Sequence, residues 1–329
     1  MGEFELLAKL RGRLPPVGPR LRLGSGDDAA VTIPGGATAT SVDALVDGVH
    51  FRRQEAPPQT IGRKGLAAAL SDLAAMGAEA GEAYVVLGAP SDLGEDEFEA
   101  LLDGLLALAT ETGTTLAGGD LTRAPVLTLA VTVVGHARDA EEFVPRSGAQ
   151  PGDVLVITGE LGGAAAGRLL LDRPSLAEAV ADETAERLRG RQLDPTPRLR
   201  SGRALAAAGA RAMIDLSDGL AGDALHVAEA SGVGLRIEVG SLPLAKGVAE
   251  IAAAAGREPV ELAVSGGEDY ELLAALPLHL LGEASALVGE AAEATLTQIG
   301  AVVAGEGVEL RLPGGGLLES SGYDHFAGP

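Results

Sequence analysis

The sequence has no cysteine and no tryptophan, and aromatic residues make up only 2% of its 329 residues. The absence of cysteine excludes disulfide bonds, catalysis by a thiolate and zinc sites with cysteine ligands. Because aromatic side chains are so scarce, alanine, leucine and valine have to fill the core, and the hydrophobic content of 46% is ample for this. The length exceeds the usual size of one domain, so we expect two domains of about 150 residues each.

Basic residues are also scarce, with 25 Lys and Arg against 47 Asp and Glu, which gives a formal net charge of −22. Nucleic acids and anionic membranes are therefore disfavoured as partners, and phosphate chemistry would need metal ions to reverse the local charge. No apolar run approaches the length of a membrane span. The first residues, MGEFELLAKLRGRL, contain neither the apolar region of a signal peptide nor the Ser or Thr of a myristoylation signal. We therefore expect a soluble, cytoplasmic protein.

Hydrophobic periodicity predicts an α+β region followed by an α/β region. After a short helix in EFELLAKL, the chain to residue 137 predicts strands, helices over 60–78 and 94–113, and further strands, which form two helices on one sheet. The polar turn RSGAQPGD marks the domain boundary, with domains at 1–140 and 150–329. The second domain alternates strands and helices, and we expect a strand in ELAVSG at 261–266 and a β-rich tail.

Two glycine patterns imitate phosphate-binding loops but lack the residues that such loops need. LGSGDDAAV has the spacing of a dinucleotide-binding turn, yet it leads into the β-branched AAVTIP and not into a helix. GGAAAGRL at 162–169 has the glycines of a P-loop, but Arg168 and Leu169 replace the required Lys and Ser or Thr. We expect an Ala/Gly helix start packed closely against a sheet there, and whether Gly162 and Gly163 contact a nucleotide stays open.

A set of aspartates follows glycines or strand ends: Asp27, Asp28, Asp43, Asp72, Asp120, Asp215 and Asp218. Each alone is typical of a turn, a solvent-facing position or a helix cap, as Asp218 with Ser217 would be. Four of them share one pattern, in which an apolar strand runs into Gly or Ser and then Asp. Carboxylates gathered from several strand ends are the hard oxygen ligands that Mg²⁺ prefers, and a cation would offset their repulsion. The pattern predicts a site with several magnesium ions.

Seven motifs carry a family resemblance: GDDAAV, SVDALVDGVHF, GRKGLAAALSDLAAMGA, LAGGDLTR, RSGAQPGDVLVITGELGGAAAG, IDLSDGLAGDA and SGGEDYELL. In content and order they resemble the motifs of the thiamine-monophosphate kinase family, in the superfamily of AIR synthetase-like ATP-binding proteins. The resemblance runs from about residue 3 to GYDHF at 322–326. It implies a two-domain AIR synthetase-like fold of the α+β / α/β class, and a homodimer in which the N-terminal sheets of two subunits pair.

The resemblance also implies roles for individual residues. The expected magnesium ligands are Asp27, Asp43, Asp72, Asp120, Asp215 and Asp218, with backbone groups at Ser41 and Val42. The expected ATP contacts are Gly119, Asp120, Arg146 and Ser217. The expected contacts to thiamine monophosphate are His50, Glu268 and Tyr323. Asp28, Arg52, Arg53, Arg63, Lys64 and Arg123 lie beside these motifs without an assigned role.

The implied reaction is direct in-line transfer of the γ-phosphoryl group of ATP to the phosphate of thiamine monophosphate. No catalytic base is expected, because a phosphate monoester with a second pKa near 6 is already largely ionised. Two alternatives remain: a hydrogenase-maturation-like or purine-synthesis-like enzyme of the same superfamily, and a non-catalytic metal-binding homologue. The absence of cysteine disfavours a selenophosphate synthetase, which commonly uses a catalytic Cys or selenocysteine.

Overall fold

The computed structural model describes residues 12–14, 20–24, 29–291 and 294–319. The helix expected in EFELLAKL, together with Asp27, Asp28 and Tyr323, lies outside these ranges. The chain divides into two compact units, the first formed by residues 1–73 and 78–141 and the second by residues 74–77 and 142–329. Within the described ranges, no helix is long and apolar enough to cross a membrane.

Over its described residues, the first unit contains a four-stranded sheet with two helices, after a short antiparallel pair of β1 and β2. Its elements are β1 (Leu21–Leu23), β2 (Val31–Thr32), β3 (Ala37–Val46), α1 (Pro58–Ala75), β4 (Glu79–Ala89), α2 (Glu95–Thr112), β5 (Thr115–Arg123) and β6 (Thr128–Ala137). The strand order is β3-β6-β4-β5, with β4 and β5 parallel and the other pairs antiparallel. The predicted arrangement of two helices on one sheet is confirmed.

The two faces of this sheet differ in burial. Leu129 and Val131 on β6 are buried, and Gly65 of α1 lies against both side chains. On the other face, Val42 and Val86 are 66% and 42% exposed. Side chains alternate between the faces of a strand, so the helices cover one face and leave these two valines exposed on the other.

The second unit is a six-stranded sheet with flanking helices. Its elements are β7 (Asp153–Thr158), α3 (Gly163–Asp172), α4 (Asp182–Leu193), α5 (Leu199–Ala207), β8 (Ala212–Asp215), α6 (Leu220–Ser231), β9 (Gly234–Glu238), α7 (Val248–Ala255), α8 (Pro259–Val264), β10 (Leu272–Pro277), α9 (Leu281–Ala291), β11 (Leu296–Val303) and β12 (Gly307–Arg311). The strand order is β12-β9-β11-β7-β10-β8, and only β12 and β9 form a parallel pair within it. A large core joins this sheet to α6, and a smaller one joins α3, α4 and α7.

One expectation for this unit is wrong, and another is incomplete. The segment ELAVSG is not a strand, because α8 occupies Pro259–Val264 with a proline in its first turn, a position that favours helix. The strand comes later, at β10, where the continuous apolar run Leu272–Pro277 is buried between β7 and β8. The tail is also less β-rich than expected, since it contains α9 (Leu281–Ala291).

The segment GGAAAGRL does start a helix, as expected, but that helix does not pack on a sheet at its glycine. A Cβ at Gly167 would overlap the Leu188 carbonyl oxygen, so α3 lies directly against the backbone of α4. Small residues permit this close approach of two helices, and the apolar side chains around it form the smaller core.

Candidate active site

Strand β3 and helix α1 bring two of the expected ligand groups together. Ser41 and Asp43 alternate with the exposed Val42, so both point to the face that α1 covers. The Ser41 hydroxyl donates a hydrogen bond to Oδ2 of Asp72 on α1. The Asp43 carboxylate accepts the Ala44 N–H at 2.7 Å. Asp72 is therefore not merely a solvent-facing helix residue, because it is joined to the strand that carries Asp43.

Asp120 lies on the opposite edge of the same sheet. It is in register with Val86 on β4, which is itself in register with Ala130 on β6, and this row lies on the face without helices. Asp43 is in register with Val131 and so shares the helix-covered face. With neighbouring strands about 4.8 Å apart, the three spacings from β3 to β5 separate the two edges by about 14 Å. This sheet does not bring Asp43 and Asp120 together.

Gly119 places Asp120 by close backbone packing. A Cβ at Gly119 would overlap the carbonyl oxygen of Val85 on the neighbouring strand. Any side chain at this position would push β5 away from β4 and displace Asp120 from the edge. The position of Asp120 therefore depends on the glycine at 119, which lets β5 lie close to β4.

His50 lies in a tight turn that follows β3. Its backbone N–H donates to the Val46 carbonyl at 3.0 Å, and its Nδ1 accepts the Val46 N–H at 3.1 Å. The Gly48 N–H donates to the carbonyl of the buried Phe51 at 2.8 Å, which closes the turn. The hydrogen bond from the Val46 N–H thus fixes the imidazole of His50 within this turn.

The arginines beside these motifs have acidic partners inside the first unit. Arg52 pairs with Glu55 at 2.9 Å, and Arg63 pairs with Glu111 through two hydrogen bonds of 2.8 and 2.9 Å. Arg53 binds both carboxylate oxygens of Glu97 and also Asp92. The hydrogen bonds with Glu97 are the main reason why the pKa of Arg53 is raised further. These pairs give the three arginines structural roles.

In the second unit, three carboxylates gather where β8 ends and α6 begins. Asp215 is the last residue of β8 and is buried, and Asp218 follows in the loop. Asp223, in the first turn of α6, accepts the Asp218 N–H at 3.2 Å. Burial and then the charges of Asp215 and Asp218 raise the pKa of Asp223 to about 8. The N-cap of α6 is Gly219, so neither Ser217 nor Asp218 caps that helix.

The loop before β10 is hydrogen-bonded directly to the loop that carries Ser217 and Asp218. The Glu268 N–H donates to the Ser217 carbonyl at 2.8 Å, and the Tyr270 N–H donates to the Leu216 carbonyl at 2.9 Å. Glu268 and Tyr270 both have positive φ, at 67° and 49°, a strained conformation for residues with side chains. A Gln192 side-chain N–H holds the Glu268 carboxylate. The second unit therefore joins Ser217, an expected ATP contact, to Glu268, an expected substrate contact.

Arg146 follows Pro145, whose backbone is hydrogen-bonded to strand β8. The Met213 N–H on β8 donates to the Pro145 carbonyl at 3.0 Å, two residues before Asp215. The expected ATP contact at Arg146 is thereby placed beside β8.

Two buried acidic residues of the SGGEDYELL motif were missed by sequence reasoning. Asp269 accepts the Gly162 N–H at 2.7 Å and the Ala164 N–H at 3.0 Å, so it occupies the N-terminus of α3. Burial is the main reason why the pKa of Asp269 is raised to about 6. The Gly162 amide is thus committed to a protein carboxylate, which argues against a phosphate cradle at GGAAAGRL.

Glu271 is the centre of a second buried network. Both of its oxygens accept from Arg198, at 2.8 and 2.7 Å, and they also accept from Thr158 and Arg191. No pattern in the sequence predicts these partners, because they come from separate elements that only the fold brings together. Asp223 could have been singled out from the sequence, because an acidic residue in the first turn of the helix after SDGL is a recognisable pattern.

Over the ranges that the structure describes, no group of three or more His, Asp or Glu residues lies close enough to hold a metal ion. The described aspartates of the expected ligand set lie in both units, with Asp43, Asp72 and Asp120 in the first and Asp215 and Asp218 in the second.

Residues 26–137 match the family described as AIR synthase related protein, N-terminal domain, and residues 150–313 match the corresponding C-terminal domain. Two mixed α/β domains in this order define the class of the chain, and the expected two-domain AIR synthetase-like fold is confirmed.

Closer relatives specify the family. A thiamine-monophosphate kinase of Mycobacterium tuberculosis is 41% identical over 277 residues, which cover 83% of this chain and 80% of the relative. The crystal structure of a thiamine-monophosphate kinase from Stenotrophomonas maltophilia is 36% identical, with a TM-score of 0.83 over 96% of this chain and 98% of that one. A structure described as AaThiL complexed with AMPPCP and TMP is 30% identical, with a TM-score of 0.78 over 99% and 97%. The chain belongs to the thiamine-monophosphate kinase family.

Proposed function

We propose that this chain transfers the γ-phosphoryl group of ATP to the phosphate of thiamine monophosphate and so forms thiamine diphosphate. The observation that carries the proposal is the hydrogen bond from Glu268 to the Ser217 carbonyl, which links an expected substrate contact to an expected ATP contact. The relative crystallised with AMPPCP and TMP supports the same pair of substrates. The family relatives favour this reading over the hydrogenase-maturation-like and purine-synthesis-like alternatives.

The chain's own residues would act by binding and orientation. The acceptor phosphate is already largely ionised, so it needs no base, and the main difficulty is to bring two polyanions together. Arg146, Gly119 and Ser217 would hold the nucleotide, while His50, Glu268 and Tyr323 would hold thiamine monophosphate. No side chain of the expected site is assigned as a nucleophile that would form a phosphoenzyme, so the γ-phosphoryl group would pass directly from ATP to the acceptor phosphate.

The residues present fit Mg²⁺ chemically. The expected ligands are carboxylates, and burial followed by the charges of Asp215 and Asp218 raises the pKa of Asp223 beside β8, a charge repulsion that a cation would offset. Asp27, Asp43, Asp72, Asp120, Asp215 and Asp218 would hold the ions, with backbone groups of Ser41 and Val42. Bound Mg²⁺ would neutralise phosphate charge and align the two substrates.

We further propose that the enzyme is a homodimer. Asp43 and Asp120 lie on the two edges and opposite faces of one sheet, so a second copy placed edge to edge offers a way to complete the ligand set.

The test is formation of thiamine diphosphate from thiamine monophosphate, ATP and Mg²⁺ by purified protein. Asp72→Asn should lower kcat at least ~100-fold, because the loss of one ligand weakens metal-assisted stabilisation of transferring charge. Asp139→Asn, at an exposed position in the same unit, is the matched control and should retain wild-type turnover. Absence of product from the wild-type protein would refute the proposed kinase and favour the non-catalytic homologue.

A further inference from the structure

Lys64 is a buried lysine beside a residue that is expected to bind substrate. It lies inside α1, and only 1% of it is exposed. Removing an ammonium group from water is costly unless it is paired or hydrogen-bonded, so such residues are rare in protein interiors. The Lys64 Nζ donates to the His50 carbonyl oxygen at 3.3 Å. The ammonium group of Lys64 therefore contacts the backbone of the turn that presents His50.

The side chain of the same histidine is fixed from the other direction. Because a backbone N–H cannot accept a hydrogen bond, the contact from Val46 at 3.1 Å requires an unprotonated Nδ1. A neutral imidazole then carries its proton on Nε2, which becomes its hydrogen-bond donor. In a doubly protonated ring, the Nδ1–H of His50 would point at the N–H of Val46, and the two donors would repel each other. The geometry thus selects one tautomer of His50.

These two contacts act on one short turn. The His50 N–H and Nδ1 both bind Val46, and the His50 carbonyl binds Lys64, so backbone and ring are restrained together. The turn is also closed by the hydrogen bond between Gly48 and the buried Phe51. A pre-organised donor binds an anion at a lower entropic cost than a mobile one.

We propose that Lys64 is a positioning residue that acts through the His50 carbonyl and helps to hold the imidazole in the orientation in which its Nε2–H donates to a phosphate oxygen of bound thiamine monophosphate. This rests on the proposed function, in which His50 contacts that substrate. Lys64 does not contact the substrate itself. Its ammonium group holds the backbone carbonyl of the residue that carries the neutral donor.

The first experiment compares Lys64→Met with Arg63→Met. The two residues are neighbours on α1, but the guanidinium of Arg63 pairs with Glu111 on α2. Lys64→Met should raise KM for thiamine monophosphate about 10-fold, which corresponds to loss of one ordered hydrogen bond of about 1.4 kcal/mol, while KM for ATP and kcat change little. Arg63→Met should leave all three values near wild type. Equal effects of both variants, or a parallel rise in KM for ATP, would overturn the proposal.

The second experiment repeats the change in a His50→Ala background. If Lys64 acts through His50, the double variant should show the same KM for thiamine monophosphate as His50→Ala alone. Once the imidazole is gone, the loss of Lys64 has no further effect on binding. An additive effect would assign Lys64 a different role and overturn the proposal. If His50→Ala leaves KM for thiamine monophosphate unchanged while turnover persists, the kinase function stands and the His50 assignment fails, together with this inference.

A measurement on the wild-type protein tests the tautomer without a substitution. The chain has five histidines, and comparison of ¹⁵N–¹H spectra with those of His50→Ala assigns the His50 ring. The Nε2–H tautomer should predominate at pH 8, and Lys64→Met should broaden or shift this signal. If Lys64→Met does not fold, Lys64→Leu, which also removes the N–H donors, replaces it in both experiments. A ring protonated on Nδ1 would contradict the proposal.

Discussion

At the scale of single residues, Asp269 shows how a carboxylate can replace a ligand at a helix N-terminus. Its oxygens accept the Gly162 and Ala164 N–H groups at the start of α3. Burial raises its pKa to about 6, and the charge of Glu271 adds to this, while Arg191 and the two N–H groups lower it. The segment that imitates a P-loop therefore binds a side chain of the same chain through its Gly162 and Ala164 amides.

This raised pKa predicts a stability that depends on pH. In the unfolded chain Asp269 would release its proton near pH 3.8, but in the folded protein it retains the proton up to about pH 6. The free energy of unfolding should therefore fall as pH rises from about 4 to about 6, by up to about 3 kcal/mol from this group alone. Denaturant unfolding of the wild type and Asp269→Asn across this range measures the difference.

The variant removes the titration, so the stability gap between wild type and Asp269→Asn should narrow as pH rises. Above about pH 6 the remaining gap reflects the N–H group that an Asn side chain cannot accept. Asp139→Asn, at an exposed site, serves as the control and should run parallel to the wild type. Parallel curves for wild type and Asp269→Asn would contradict the prediction.

At the scale of elements, Arg53 joins the turn after β3 to the start of α2. Its backbone N–H donates to Asp47 at 2.9 Å, and its guanidinium binds Glu97 through two bonds and Asp92 at 3.0 Å. The side chains of Arg53 and Glu97 are 18% and 22% exposed, so solvent screens this pair less than a surface pair.

We expect Arg53→Leu to lower the free energy of unfolding by about 1.5–3 kcal/mol, the range for hydrogen bonds to charged groups. Arg52→Leu is the matched control, because Arg52 is the neighbouring residue and forms an exposed pair with Glu55. That change should cost less than about 1 kcal/mol. Urea unfolding of both variants tests the difference, and equal losses would show that the pair with Glu97 contributes no more than a surface ion pair.

The sequence predicted elements well where local signals agree. The helix α2 has acidic residues in its first turn and ends at Gly113 in the left-handed conformation, as its pattern predicts. The prediction of a strand in ELAVSG failed because the five apolar and small residues after Glu261 suit a buried helix as well as a buried strand, and Pro259 decides between them. Periodicity cannot separate these two cases in so short a run.

At the scale of the whole molecule, motif order and spatial order differ. The sequence indicated a group of aspartates in one site, but it contains no signal for the strand order β3-β6-β4-β5, which separates Asp43 from Asp120. Likewise, the pairing of the loops that carry Ser217 and Glu268 arises from tertiary hydrogen bonds between distant segments. Residue types and local elements were therefore predictable, whereas their arrangement required the fold.

The separation of Asp43 and Asp120 predicts that two inactive variants can restore activity to each other. Asp43→Asn and Asp120→Asn should each abolish most turnover, because each removes an expected magnesium ligand. If a second copy supplies Asp120, a mixed dimer has one site with both substitutions and one site with neither. Random pairing of equal amounts makes about half of the dimers mixed, so the mixture should recover about a quarter of wild-type turnover after denaturation and joint refolding. Each variant refolded alone is the control, and a mixture no more active than these controls would show that each chain completes its own site.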